Sequence, residues 1–136
     1  MPTYLLDTNT FSYLMSEHES VKAHIAALDE TDRIVISSIV RGEIRYGIER
    51  MPAGKRRSRV EEKAEKLFSV IPCISVSEDT ADNYGKLKRE AEQQGNPLGE
   101  NDLWIAATTL VNHSVLVTND TDFERIGKLT IEDWIE

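Results

Sequence analysis

Four acids stand out by where they fall along the chain: Asp7, Glu43, Asp102 and Asp120. Asp7 directly follows the apolar run Thr3 to Leu6, and Asp120 stands a short step beyond the apolar run Val115 to Val117. Glu43 lies about one and a half turns into a segment of helical periodicity, at the edge of its apolar stripe between the rows through Val40 and Ile44. Asp102 lies in the first turn of another such segment, one residue before its apolar stripe begins. Carboxylates gathered in one pocket repel one another and raise each other's pKa. Cations make such crowding tolerable, and an all-oxygen donor set suits a hard ion such as Mg²⁺ or Mn²⁺. The usual chemistry of such a site is phosphodiester hydrolysis, in which the ion lowers the pKa of a bound water and stabilises charge on the attacking and leaving oxygens. Each acid alone is equally suited to a turn or a helix start. Four on one predicted edge favour a shared site.

The flanking residues Thr8, Asn9, Asn101, Thr118 and Asn119 carry hydroxyls and amides that could orient carboxylates or waters, or serve turns. Thr118 and Asn9 are assigned to the site, with Thr8 as a further supporting candidate. His18, His24 and His113 follow no metal-ligand spacing and are expected on the surface or at helix ends. Cys73 is the only cysteine, so no thiolate cluster can form; between Pro72 and Ile74 it is expected to be a buried small hydrophobe. The chain carries 24 acidic and 16 basic residues, a net charge of −8. That balance argues against tight, nonspecific binding to duplex DNA. The bases are clustered, however, in Lys55 to Arg59 and in Arg41, Arg45 and Arg50, and metal binding would neutralise part of the acidic excess. Lys55 to Arg59 is expected to be the solvated face of a helix.

The elements that must position these acids follow from periodicity. Thr3 to Leu6 predicts a buried strand, followed by a short helix over Asn9 to Met15. Glu19 or Ser20 is expected to cap a helix running through Leu28. Ile34 to Ile36 predicts a second strand, after which Ser37 or Ser38 caps a helix to about Arg50. Lys55 to Val70 predicts a charged amphipathic helix, Ile74 to Val76 a strand, and Glu78 to Gln94 a helix stopped at Gly95-Asn96-Pro97. Asn101 to Val111 predicts a strong helix, Val115 to Val117 a buried strand, Thr121 to Arg125 a short helix, and Leu129 to Ile131 a last strand. Strands alternating with helices predict a parallel α/β sheet. Ligands of such sheets bind at the carboxyl ends of the strands, where Asp7 and Asp120 stand. The length of 136 residues is that of one domain, with no repeat or linker. No apolar run reaches the ~20 residues of a membrane helix. The N-terminus lacks the features of a signal peptide, so a cytoplasmic location is expected.

These residues also form a known pattern. Leu5-Leu6-Asp7-Thr8-Asn9 resembles the opening motif of PIN domains. Ser37 to Gly47, with Glu43 followed by Tyr46-Gly47, resembles the second motif. Leu98 to Ala107, holding Asn101-Asp102, is similar to the third, and Val117 to Ile126 to the fourth. The four occur in order across nearly the whole chain, and the ending Leu129 to Trp134 is similar to VapC toxins of bacterial toxin–antitoxin systems. The resemblance implies a single three-layer α/β/α domain, residues 1–136, around a central parallel sheet. It implies a Mg²⁺- or Mn²⁺-dependent endoribonuclease that cuts transfer RNA, or sometimes ribosomal RNA, in single-stranded loops and inhibits translation. Asp7, Glu43 and Asp102 would carry the metal, with Asp120 as the fourth acid. Many relatives have Asn at the place of Asp120, so Asp122 competes for that role. The implied partners are an RNA substrate, a VapB-type antitoxin that inserts a C-terminal segment near the acids, and a second copy of the chain in a homodimer.

Two other classes compete. Leu5-Leu6-Asp7 also resembles the start of an aspartate-nucleophile phosphatase, but Asn9 stands where that chemistry needs an acid to donate a proton. A non-catalytic binding module on the same scaffold is disfavoured because all four acids are intact. No Gly-x-Ser-x-Gly elbow or Gly-rich phosphate loop is present.

Overall fold

The computed structural model describes residues 2–95 and 98–136. Five parallel strands form one sheet in the order β3-β2-β1-β4-β5. They are β1 (Thr3–Leu6), β2 (Arg33–Ser37), β3 (Cys73–Ile74), β4 (Val115–Val117) and β5 (Thr130–Glu132). Six helices connect them: α1 (Thr8–Met15), α2 (Glu19–Ala26), α3 (Ser38–Glu49), α4 (Lys55–Val70), α5 (Glu78–Gln93) and α6 (Glu100–Val111). A 3-10 turn, Thr121–Arg125, precedes β5.

The sheet is parallel because every connection carries at least one helical turn, too long for a hairpin. Parallel crossovers are right-handed. Chain order runs outward one way from β1 to β3 and the other way from β4 to β5. Right-handed connections therefore place α1 to α4 over one face and α5 and α6 over the other. The packing agrees: α1 touches α2, α3 and α4, while α5 lies along α6. Strands covered on both faces need continuous apolar runs. Leu5, Leu6, Val35, Ile36, Leu116 and Val117 supply them and are all buried. Phe11 of α1, Val40, Ile44 and Ile48 of α3, and Leu103, Ile105, Ala106 and Ala107 of α6 close the core. Trp134, 1% exposed, stacks on His24 and packs against Tyr4, which ties the C-terminal segment to α2 and β1.

Strand order reverses between β1 and β4, and that reversal opens a crevice at their carboxyl ends. The register there is fixed by pairing Leu6 with Val117, and the Asp7 amide extends the ladder by donating to the Val117 carbonyl at 3.0 Å.

Several expectations are corrected. Helix α2 is not capped by Glu19 or Ser20: His18 occupies the cap position with no side-chain bond, and the Ser20 hydroxyl donates to the Glu136 carbonyl at 2.6 Å. Ser75 and Val76 do not extend β3, which pairs with β2 only through Cys73 and Ile74. Leu129 precedes β5, which instead includes Glu132. Cys73 is exposed, because β3 is an edge strand and alternate side chains of a strand face opposite ways. The histidines do fall at helix ends as expected: His18 in the cap position of α2, His24 in its last turn, and His113, at φ 52°, just past the end of α6. The expected stop after α5 is described only through Gly95, whose φ of 70° suits a residue without a Cβ. Asn96 and Pro97 lie outside the described residues.

Candidate active site

Asp7 performs two tasks at once. Its Oδ1 accepts the Thr10 amide at 2.8 Å and so caps α1. Its Oδ2 accepts the Thr118 hydroxyl at 2.5 Å, across the β1–β4 crevice. Only 4% of Asp7 is exposed, and burial pushes its carboxyl above the usual range. The bonds from Thr118 and Thr10 oppose that rise, and the nearby charge of Asp120 adds to it. Each oxygen spends one lone pair on these bonds and keeps another.

Thr118, 2% exposed, is the hub of this corner. Its hydroxyl donates to Asp7 and accepts the Asp120 amide at 3.0 Å. Its own amide donates to the Glu132 carbonyl at 2.9 Å. Asp120 in turn caps the 3-10 turn, its Oδ1 accepting the Asp122 amide at 2.9 Å. On α3, half-buried Glu43 accepts the Thr8 hydroxyl at 2.5 Å through Oε1. The helix that presents Glu43 starts at Ser37, whose buried hydroxyl accepts the Val40 amide at 3.1 Å.

Asp102 stands in the first turn of α6, where the helix dipole favours an anion. Its carboxyl is nonetheless pushed up to about 6. Burial is the largest cause, followed by the charges of Asp120, Glu43, Asp7 and Asp122. The fold therefore brings together all four acids read from the sequence, with Asp122 at the margin. Asp122 is the weakest of these charges on Asp102 and has its own cation in Arg125 at 3.4 Å, so Asp120 is the better placed of the two. Asn9 is exposed and bonds to none of the acids, unlike Thr8 and Thr118. Sequence reading missed Thr10, a buried residue whose amide caps on Asp7 and whose hydroxyl donates to the Val117 carbonyl at 3.1 Å. Its signal was the spacing Asp7-x-x-Thr10, a helix cap and its third residue.

The donors are hard oxygens, and the crowding is of the kind a divalent cation relieves. Among the described residues no three of these side chains form a ready-made cage. Two grooves open beside Glu43. One, about 430 Å³, is lined by Met15, Ile44, Ile48 and Val60. The other, about 610 Å³, is lined by Ser38, Tyr46, Arg50 and Asn101.

Residues 4–129 match the PIN domain family. The chain is 35% identical over 133 residues to Ribonuclease VapC2 of Rickettsia felis, covering 96% of this chain and 97% of that protein. The chain belongs to the PIN-domain family, among its VapC ribonucleases. This PIN domain also superposes with a TM-score of 0.88 on the crystal structure of VapBC2 from Rickettsia felis bound to a DNA fragment from their promoter, at 34% identity and with 97% and 98% of the two chains covered. A further relative is the tRNA(fMet)-specific endonuclease VapC of Salmonella typhimurium, 32% identical with 98% and 99% covered. Among the described residues of this PIN domain, no helix is long and apolar enough to cross a membrane.

Proposed function

We propose that this PIN domain is a divalent-metal-dependent endoribonuclease toxin that cuts structured RNA in single-stranded loops, transfer RNA before ribosomal RNA, and so inhibits translation. The observation that carries this reading is the mutual crowding at Asp102, whose carboxyl is pushed up to about 6 by burial and by four acids from three separate parts of the chain. The relative from Salmonella typhimurium, named a tRNA(fMet)-specific endonuclease, supports the substrate class. Loops also offer the unstacked bases that an open cleft admits.

Asp7, Glu43, Asp102 and Asp120 would hold Mg²⁺ or Mn²⁺. The bound ion supplies charge stabilisation at the scissile phosphate and a more acidic water. Thr118 and the Thr10 amide fix the Asp7 carboxylate in one orientation, and Thr8 does the same for Glu43. Such partners hold donors ready for a cation and limit the reorganisation needed when substrate arrives. The similar VapBC complexes support a VapB-type antitoxin as partner, and its C-terminal segment would enter near the acids. A homodimer and a cytoplasmic location complete the reading.

The test is cleavage of total bacterial RNA by the purified, antitoxin-free chain, with Mg²⁺ and with EDTA, beside Asp102→Asn. Discrete fragments that require the metal and vanish in the variant are expected. A folded protein that cuts no RNA in Mg²⁺ would overturn the reading.

A further inference from the structure

Three residues beyond Glu43 on α3, Tyr46 leaves 64% of its surface in solvent. The Arg50 guanidinium lies 5.4 Å from its ring centroid. Arg50 makes no ion pair among the described residues, and of the arginines so placed it is the one that lines the groove beside Glu43. In a chain with a net charge of −8, an arginine left without a carboxylate is available to another anion.

Glu43, Tyr46, Gly47 and Arg50 are spaced by three, four and seven residues and share one helix face. That face lines the 610 Å³ groove together with Thr8 and Asn101, the chain neighbours of Asp7 and Asp102. A Cβ built on Gly47 would meet nothing within 4 Å, so the groove floor beside the ring is open. An exposed ring backed by a free cation, in a groove that runs to a carboxylate cluster, is the arrangement that takes an unpaired base and its phosphate.

We propose that Tyr46 and Arg50 form a stacking platform for one unpaired base of the RNA, with the ring under the base and Arg50 on the adjoining phosphate. The proposal rests on the nuclease reading above. Stacking accepts every base, so the platform sets where the strand enters rather than which sequence is cut. The 430 Å³ groove on the other side of Glu43, lined by Met15, Ile44, Ile48 and Val60, offers no ring to stack on.

The experiment uses an RNA hairpin spanning the mapped cut, with one 2-aminopurine moved through its loop, bound to the full-length Asp102→Asn chain. Fluorescence quenching is expected at one loop position, lost on adding Tyr46→Ala and kept with Tyr46→Trp. In the otherwise wild-type chain, Tyr46→Ala is expected to raise KM about 10-fold, within the range of one aromatic–base stack, and to change kcat less than about twofold. Arg50→Gln is expected to lower the salt dependence of binding by about one phosphate contact. If the wild type cuts RNA while Tyr46→Ala keeps the same KM and quenching, the platform is wrong and the nuclease stands. If Tyr46→Ala alters only the oligomeric state or the affinity for an antitoxin, the ring is a protein contact and the proposal fails. A wild type that cuts no RNA in Mg²⁺ removes the nuclease reading and the platform with it.

Discussion

The Thr118 hydroxyl has one donor and it is spent on Asp7, while its oxygen accepts from the Asp120 amide. Thr118→Val keeps the shape and removes both bonds. It is expected to slow cleavage about 10- to 100-fold, as loss of a ligand-orienting partner does, and to cost about 1–3 kcal/mol for the buried groups left unmatched. Cleavage rates against Mg²⁺ concentration and urea denaturation measure the two effects. Asp7→Asn is expected to lower cleavage at least about 100-fold and to leave the chain folded in EDTA, with a loss of about 1 kcal/mol because an amide can accept only one of the two bonds from Thr10 and Thr118. Asp102 gives a pH dependence. Its folded carboxyl titrates at about 6 against an ordinary 3.8, so the folded state binds the proton more tightly than the unfolded chain. Stability in EDTA should therefore rise as pH falls from above 6 toward 4, by on the order of 1–2 kcal/mol, reduced from the full shift because Asp102 is partly open to water. Thermal melts across that range, with and without Mg²⁺, check it; a flat profile in EDTA would sink the crowding argument. Asp7, Asp102 and Asp120 could be read as neighbours because strand ends and helix starts are local signals, whereas Glu43, about one and a half turns into α3, was marked only by its place at the edge of an apolar stripe. The orientation of Asn9 was not legible, because it depends on which way α1 turns away from the crevice.

Helices and long strands were legible wherever a single period ran through the segment. Lys55–Val70 and Val115–Val117 emerge with the bounds their periodicity predicts. The misplaced ends are those that tertiary neighbours decide. Helix α2 starts at Glu19 with His18 and not a hydroxyl in the cap position, and Ser20 instead donates to the carbonyl of Glu136. Strand β3 stops after Ile74 because only β2 offers it partners, and β2 itself ends at Ser37. The Ser37 cap is where an element's start bears on the site. Ser37→Ala is expected to cost about 1 kcal/mol, read as a lower urea midpoint at unchanged slope. It should also lower cleavage more at high temperature than at low, as the first turn of α3 frays beneath Glu43.

At the scale of the molecule, the charge balance decides how RNA can be held. With 16 bases against 24 acids, and several of those bases already paired, few phosphates can be neutralised directly. Binding of single-stranded RNA should therefore depend weakly on salt, with a slope of about −1 to −2 at roughly −0.7 per phosphate. Equilibrium titrations from low to physiological salt give that slope, and a steep one would bring the basic cluster Lys55 to Arg59 into the RNA contact. The corner formed by Asp7, Thr118 and Glu132 has a further consequence for how the molecule comes into being. Asp7 is oriented by a residue 111 positions later, and that residue is held in turn by the strand just before the C-terminus. Contacts so distant in sequence close late, after the loop between them has been paid out. A chain still emerging from the ribosome thus carries its first acid, with only the Thr10 amide to hold it, long before Thr118 can. The Asp7 carboxylate gains its full set of bonds only once Thr118 and the strand that holds Thr118 have both been made.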